Sequence, residues 1–444
     1  MTTISKPVDY KSLTRYFAPL VLQTSSQSLC YPLVAMVASR GAGGPVNLAG
    51  LAQSNNVMFF LGIFAVNLVT TGMVYAKNLE GYRRFRRVNL SFAAFSVAAQ
   101  TLLCVPKLSH GLFGDLIGLP PSIEYPAWIT LLASIPLQFL FFLRIPYQVA
   151  MYNGKATGVA SLATLGRVIF TAVLSPLFCM SGLVGPLWAI VCLTLPVALE
   201  TAASRVFAGP FIRRLDPVDP QPPSLKEMVY FTIPLSIGGY FLAISAVILG
   251  AFIARAAEPE RMLPVYYLAL GLATPVAYSA TRLQALVLAF PPQSDLGEST
   301  FRFALCAGTL LGVFPLIFIL PGMADLYYVH LQKLNAADLP LVRLTALTLI
   351  GYPLSVAVRA QREGLAAWFK KPATVLAGQA VFMVTMISVG WTGLYLDVTG
   401  CLIGPAGLTL GSLASAAIMP MFLHLGKERP TPVPTTTTSV GQIR

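Results

Sequence analysis

The sequence predicts an all-α membrane protein of about twelve transmembrane helices, arranged as two parallel lobes of six helices each. Three observations predict this class. Hydrophobic residues make up 56% of the 444 residues and charged residues only 11%, whereas a soluble domain carries about 25% charged residues. The apolar residues form long segments. The cationic residues alternate between the gaps that separate those segments.

The apolar segments are long enough to cross a bilayer, whose core requires about 20 residues per helix. They show no strand-like alternation of the kind that an outer-membrane barrel needs. The predicted spans are residues 13–38, 46–77, 88–107, 127–151, 158–181, 184–206, 225–254, 262–290, 300–321, 340–362, 372–394 and 401–424.

The cationic residues are divided very unequally between alternate gaps. Six of the 30 Lys and Arg lie at one set of gaps, and the other 24 lie at the termini and the alternate set. Cytoplasmic loops carry this excess of Lys and Arg. We therefore expect a multi-pass protein of the cell membrane with both termini in the cytoplasm. The net charge of +13 then reflects topology and lipid headgroups, and we expect no nucleic-acid partner. The smaller set is Arg40, Lys107, Arg255, Arg261, Lys333 and Arg343.

Two short signatures recur in the two halves of the chain. Residues 17–20 (FAPL) match 232–235 (TIPL), and residues 183–186 (LVGP) match 402–405 (LIGP). The nearly equal offsets predict an internal duplication with six spans per half. We expect parallel repeats with a substrate site between them, as in transporters that work by alternating access. The predicted units are an N-terminal lobe (1–210), a Pro-rich cytoplasmic linker (211–224), a C-terminal lobe (225–425) and a disordered cytoplasmic tail (426–444).

Signatures of enzymes and metal sites are missing from the sequence. It has no Walker A motif, no H-E-x-x-H and no nucleophile elbow, and no cysteine pair has metal-ligand spacing. We expect no catalysis, no metal and no cofactor.

Polar residues inside the spans are the candidates for function, because placing them in the bilayer costs free energy. At 1.5 Å per residue, Arg282, Arg167 and Arg144 lie roughly 10 to 13 Å inside their spans. Two alternatives to a functional role remain open. The long arginine side chains could snorkel to the membrane surface, and the side-chain amides could form hydrogen bonds between helices. Helical spacing groups further polar residues with these arginines or with one another. The substrate-binding candidates are Arg282, Arg167, Arg144, Gln148, Tyr278, Asn56, Asn67, Gln23 and Gln27.

The sign of the buried charge predicts an anionic cargo. We find no Asp or Glu at the centre of any predicted span, and Glu200 is the nearest, close to a cytoplasmic end. A transporter of cationic drugs normally needs an intramembrane carboxylate, whereas this chain offers embedded cations. We expect an organic anion or a lipid that carries phosphate.

One stretch of the chain resembles a known family. Val358-Arg359-Ala360, then Gly364, then Lys370-Lys371 resembles the end of the tenth span in the progressive ankylosis (ANKH) family of the multidrug/oligosaccharidyl-lipid/polysaccharide (MOP) flippase superfamily. Residues 48–75, 273–276 and 407–411 are similar to its second, eighth and twelfth spans, and the likeness is colinear over residues 10–425. It implies a two-lobed MATE/MOP-like fold with a central cavity.

The resemblance also implies a secondary transporter that exports an organic or phosphate-bearing anion of the citrate, nucleotide or pyrophosphate class. The alternatives are a flippase for a phosphate-linked oligosaccharide lipid, a MATE-like multidrug exporter and a membrane scaffold without transport. A side portal between the first and eighth spans would favour the flippase. We expect a monomer whose partners are its cargo and membrane lipids. Arg359, Gly364, Lys370 and Lys371 are expected to form a cytoplasmic gate or anchor, with Gly364 in a tight turn.

Overall fold

The computed structural model describes residues 9–27, 30–217, 222–292, 297–332 and 334–424. The first half of the chain forms α1 (Tyr10–Gln27), α2 (Cys30–Ser39), α3 (Pro45–Leu61), α4 (Ile63–Tyr75), α5 (Leu79–Leu103), α6 (Pro106–His110), α7 (Pro121–Ala133), α8 (Ile135–Asn153), α9 (Thr157–Met180) and α10 (Pro186–Arg213). The second half forms α11 (Leu225–Ile253), α12 (Pro259–Ala280), α13 (Leu283–Ala289), α14 (Glu298–Val313), α15 (Leu339–Thr348), α16 (Gly351–Trp368), α17 (Pro372–Tyr395) and α18 (Gly400–His424).

The architecture is all-helical within these ranges, which confirms the predicted fold class. In the described part of the chain, nine helical stretches are long and apolar enough to cross a membrane, and the number rises to eleven if each of two bent helix pairs counts as one span. The remaining predicted span, 13–38, corresponds to α1 and α2. Residues 28 and 29 between them lie outside the described part of the chain.

Several spans extend beyond their predicted ends into the cationic segments. α5 begins at Leu79, where the predicted span begins at residue 88, and the Asn78 side chain accepts a hydrogen bond from the Gly81 N–H at 2.7 Å. α10 continues to Arg213 and α16 to Trp368. Lys and Arg are good helix formers, and their long side chains reach the membrane surface from inside a span. The hydropathy pattern therefore ends before the helix does.

The cation-carrying turns gather at one end of the molecule, which we call the cation-rich end. There Lys77 lies 4.0 Å from the ring centroid of Trp368, and Lys155 lies 4.3 Å from that of Phe290. Arg84 donates hydrogen bonds to the carbonyls of Pro222 and Pro223. These contacts join turns that are distant in sequence. The alternation of the charge pattern thus corresponds to alternation of the chain between two ends.

The two halves of the helical array are joined at the cation-rich end. One apolar cluster contains residues of both halves, including the edge-to-face pairs Tyr75–Phe231 (5.3 Å between ring centroids) and Tyr16–Phe290 (5.5 Å). Phe60 and Tyr240, 4.7 Å apart, meet halfway along the helices. Towards the opposite end, the remaining apolar clusters in the described residues each belong to one half. The lobes are therefore closed against each other at the cation-rich end.

The linker is described only in part, and the tail lies outside the described residues. α10 enters the predicted linker, and residues 218–221 lie outside the described ranges, as does the predicted tail 426–444. The boundaries of the two lobes stay predictions.

Gly364 does not occupy a turn, and that expectation is wrong. It lies inside α16, where a Cβ atom would approach the Val287 Cβ to 2.8 Å and the Gln284 carbonyl to 3.1 Å. The chain turns later, at Lys370, whose φ is 53°. Gly364 is thus needed for the close packing of α16 on α13.

We expect Gly364→Ala to destabilise the protein, because the added methyl group overpacks a helix contact at a cost of about 1 to 3 kcal/mol. Gly166→Ala is the matched control, since a Cβ at this helical position meets nothing within 4 Å. Thermal unfolding of the purified proteins in detergent measures both. An equal or higher unfolding temperature for Gly364→Ala would contradict the packing argument.

Candidate functional site

A central cavity of about 480 Å³ lies between the lobes. α4 of the first half faces α11, α12, α16, α17 and α18 of the second across it. Its wall is largely apolar with a few polar groups, as ligand sites usually are. The polar groups include Asn67, Thr70, Tyr278, Arg282, Arg359, Glu363 and Gln379.

Arg359, which is buried, and Glu363, which is partly buried, form an ion pair in the wall of this cavity. They are one helical turn apart, and the Arg359 Nε lies 3.5 Å from the Glu363 Oε1. Arg359 also donates to the Ser412 Oγ at 3.2 Å, and Gln379 donates to Glu363. The prediction that Arg359 lies at the cytoplasmic end is wrong, because α16 continues nine residues further, about 14 Å.

Arg282 lies at the break between α12 and α13 and is half-buried. Its Nε donates to the Thr24 Oγ1 of α1 at 3.0 Å. Within the described residues it has no carboxylate within ion-pair distance. It lines the central cavity together with Tyr278, as the helical spacing predicted, and it also lines a second cavity.

The second cavity, of about 230 Å³, lies in the first half of the chain, and we call it the first-lobe cavity. Arg144 and Gln148 of α8 line it, which agrees with their predicted common face, and so does Arg167 of α9. The sequence reasoning did not identify Gln138, which also lies in its wall.

Glu200 holds both arginines of the first-lobe cavity. Its Oε2 accepts from the Nη1 of Arg144 at 2.7 Å and of Arg167 at 2.9 Å, and its Oε1 accepts from the Thr164 Oγ1 at 2.6 Å. Glu200 is only 1% exposed. The expectation that the spans lack a central carboxylate is therefore wrong. It failed because α10 extends 13 residues beyond Glu200, about 20 Å, and because Glu363 also lies inside a span.

Only some of the glutamines and asparagines that were predicted for the site lie in a cavity wall. Gln23 is buried and donates to the Thr164 Oγ1 at 2.9 Å, so it supports Glu200 but lines neither cavity. The side chain of Gln27 lies outside the described part of the chain. Asn67 lines the central cavity, whereas Asn56 is exposed and does not. The two do not share a face there because the helix is interrupted at Gly62.

The two lysines of the predicted gate have different contacts. Lys370 pairs with Glu227 at 2.9 Å and lies 4.6 Å from the ring centroid of Tyr75 in the other half. Lys371 donates to the Leu423 carbonyl at 3.0 Å near the end of α18, so it contacts its own half. In the turn after α4, outside the spans, burial and the nearby Lys370 lower the pKa of Lys77 to about 8.

Comparison with solved structures identifies the fold. The chain resembles a MATE transporter in complex with MaL6 (TM-score 0.75, 16% identity) and an outward-facing multidrug resistance MATE transporter of the MOP superfamily (TM-score 0.70, 16% identity). It also resembles a MOP superfamily transporter from Pyrococcus furiosus that is described as having a binding pocket of reverse polarity (TM-score 0.67, 15% identity). Each match covers 94% of this chain and 95% of the other.

No protein-family model and no curated protein sequence matches the chain. Membership of the progressive ankylosis family stays a prediction.

We expect Glu200→Gln to destabilise the protein strongly, because it leaves the buried Arg167 and the partly buried Arg144 without a counter-charge. Breaking a buried ion pair costs about 3 to 5 kcal/mol. Glu80→Gln is the control. The Glu80–Arg84 pair is partly exposed, and such pairs contribute about 1 kcal/mol or less. Thermal unfolding should separate the two variants clearly. Similar small shifts for both would show that Glu200 is not required to hold the arginines.

At 14–17% identity the likeness shows the fold alone, which is the two-lobed helical fold of MATE transporters of the MOP superfamily.

Proposed function

We propose that this protein is a secondary transporter that exports an organic or phosphate-bearing anion, of the citrate, nucleotide or pyrophosphate class, by alternating access. The observation that carries the proposal is Arg282. This arginine lies between the two cavities without a carboxylate partner among the described residues. A cation inside a membrane protein needs solvent or a counter-charge, and an anionic cargo would supply the charge.

The charge balance of the two cavities supports an anion. Arg144, Arg167, Arg282 and Arg359 contribute four positive charges, and Glu200 and Glu363 contribute two negative ones. Two positive charges remain when all six groups are ionised. The pocket of the structurally similar Pyrococcus furiosus transporter, described as reversed in polarity and as suggesting a different function, is consistent with a MOP fold that carries another class of cargo.

The packing of the lobes supports alternating access. Their contacts lie between the cation-rich end and the middle of the helices, and the central cavity lies beside the last of these contacts. If the cation-rich end faces the cytoplasm, as we propose from the positive-inside bias, this state faces outward. Export then requires the aromatic contacts at the cation-rich end to separate.

A MATE-like exporter of cationic compounds is the second candidate, and the fold together with Glu363 in the central cavity favours it. A lipid flippase has less support. Its side portal would open between the first and eighth spans, and there Ser25 and Ser279 are hydrogen-bonded at 3.1 Å beside the Arg282–Thr24 bond. Among the described residues, these two hydrogen bonds close this part of the seam between the first and eighth spans.

We expect proteoliposomes that contain the purified protein to take up labelled citrate or pyrophosphate saturably, and to take up little ethidium. Arg282→Gln should lower the initial rate at low anion concentration at least tenfold, because a hydrogen bond to a charged group contributes about 1.5 to 3 kcal/mol. Arg87→Gln, an exposed arginine at the cation-rich end, is the control and should keep the rate. Uptake of ethidium without uptake of either anion would replace this proposal by the second candidate.

We also expect the cation-rich end to face the cytoplasm. In a background without the six native cysteines, a membrane-impermeant maleimide should label Tyr395→Cys in intact cells, because Tyr395 is 90% exposed at the opposite end. It should label Arg83→Cys, an exposed position near the start of α5, only after the cells are opened. The reverse pattern would invert the orientation and the direction of export.

A further inference from the structure

We propose that the first-lobe cavity is a second anion-binding site, separate from the central cavity, and that its ligand is a small oxyanion: a carboxylate or phosphate group. The site is built from side chains of α8 and α9, with Arg282 at its border with the central cavity.

Three buried donors of this cavity carry the inference. Among the described residues, the Nε atoms of Arg144 and Arg167 and the Nε2 of Gln138 have no hydrogen-bond partner. Arg167 is 5% exposed and Gln138 is 1% exposed, and all three residues line the same cavity. Buried polar groups in native proteins are almost always paired. Three free donors around one cavity indicate a ligand that accepts hydrogen bonds.

Glu200 fixes the two arginines but does not satisfy their Nε donors. It accepts from the Nη1 atom of each arginine, and it is not part of the cavity wall. The two guanidinium groups are therefore held in place while the Nε–H of each stays unpaired among the described residues. Together the two arginines and Glu200 carry one positive charge, and Arg282 adds a second. A preorganised set of donors with excess positive charge is the arrangement that binds carboxylate and phosphate groups.

The size and walls of the cavity suit such a ligand. Its volume of about 230 Å³ leaves room for a carboxylate or phosphate group with several water molecules. The break at Gly62 brings the backbone close to Gln138, since a Cβ there would lie 3.2 Å from the Gln138 Nε2. Phe59, Phe141 and Leu193 form apolar walls, which strengthen interactions between charges by excluding water.

Two sources of the oxyanion are consistent with this chemistry. It is either a free small anion or a second anionic group of the cargo that extends past Arg282 from the central cavity. The second source rests on the proposed function, whereas the first does not.

The test is the thermal unfolding of the purified full-length protein titrated with inorganic phosphate at constant ionic strength. We expect a saturable rise in unfolding temperature for the unmodified protein. Arg167→Lys keeps a positive charge beside Glu200 but loses the free Nε, and Gln138→Leu loses the free amide donor. Each should need at least ten times more phosphate for half of the maximal rise.

Gln100→Leu is the matched control. Gln100 is a buried glutamine of the same lobe that donates to the Leu131 carbonyl and the Ser134 Oγ, both at 2.9 Å, and it lines neither cavity. It should lower the unfolding temperature and leave the phosphate dependence unchanged. Absence of a phosphate effect, or equal phosphate dependence in all four proteins, would overturn the proposal.

Citrate distinguishes the two sources. If the site binds a group of the cargo, saturating citrate should abolish the phosphate effect, and Gln138→Leu should weaken citrate uptake. If the site binds a free anion, the effects of citrate and phosphate should add. Failure of citrate and pyrophosphate uptake with a normal phosphate response would overturn the proposed function and leave this site in place.

Discussion

The ion cluster around Glu200 is the interaction on which the first lobe depends. A charge buried in a membrane protein is costly unless it is paired, and one carboxylate here pairs two arginines from neighbouring helices. The cluster extends through Thr164 and Gln23 to Tyr152, whose hydroxyl donates to the Gln23 Oε1 at 2.9 Å. It therefore ties α1, α8, α9 and α10 together at mid-membrane. The positions of Arg144 and Arg167 in the wall of the first-lobe cavity follow from this arrangement.

The contacts that close the cation-rich end are of a different kind. Lys77 on Trp368, Lys155 on Phe290 and Lys370 on Tyr75 each join a lysine of one half to an aromatic ring of the other. A cation–π contact near a surface contributes about 0.5 to 1 kcal/mol, and an edge-to-face aromatic pair contributes about 0.5 to 1.5 kcal/mol. Their sum is small enough for these contacts to be exchanged for others, which alternating access under the proposed function would require. The strong buried pairs lie within the lobes and the weak ones between them, as rigid-body movement of two lobes requires.

The fold could be predicted from the sequence because hydropathy and charge position report directly on the membrane, which imposes the strongest constraint on this chain. The candidate site could be predicted only in part. Arg144, Arg167 and Arg282 were found because a cation inside an apolar segment is conspicuous. Glu200 and Glu363 were missed as site residues because span ends were placed where hydropathy falls, several residues before the helices end. An arginine followed four residues later by a glutamate, as in Arg359 and Glu363, was the available signal for one of them. The break at Gly62, which separates Asn56 from Asn67, depends on tertiary packing and leaves no such signal.

The prediction of an anionic cargo rested on a wrong premise, since the spans do contain carboxylates, but the excess of positive charge remains after they are counted. Under the proposed function, this excess bears on the transport cycle. Closing two lobes around uncompensated charges removes them from water, and the penalty is several kcal/mol per charge. Under the proposed function, a cargo with two negative charges that spans both cavities would neutralise their two remaining positive charges, and the lobes could then close around it. With an empty site, Arg282 would keep the cavity hydrated and hinder closure. Under the proposed function, the residue that attracts the anion would thus also let the loaded protein change between its two states more readily than the empty one.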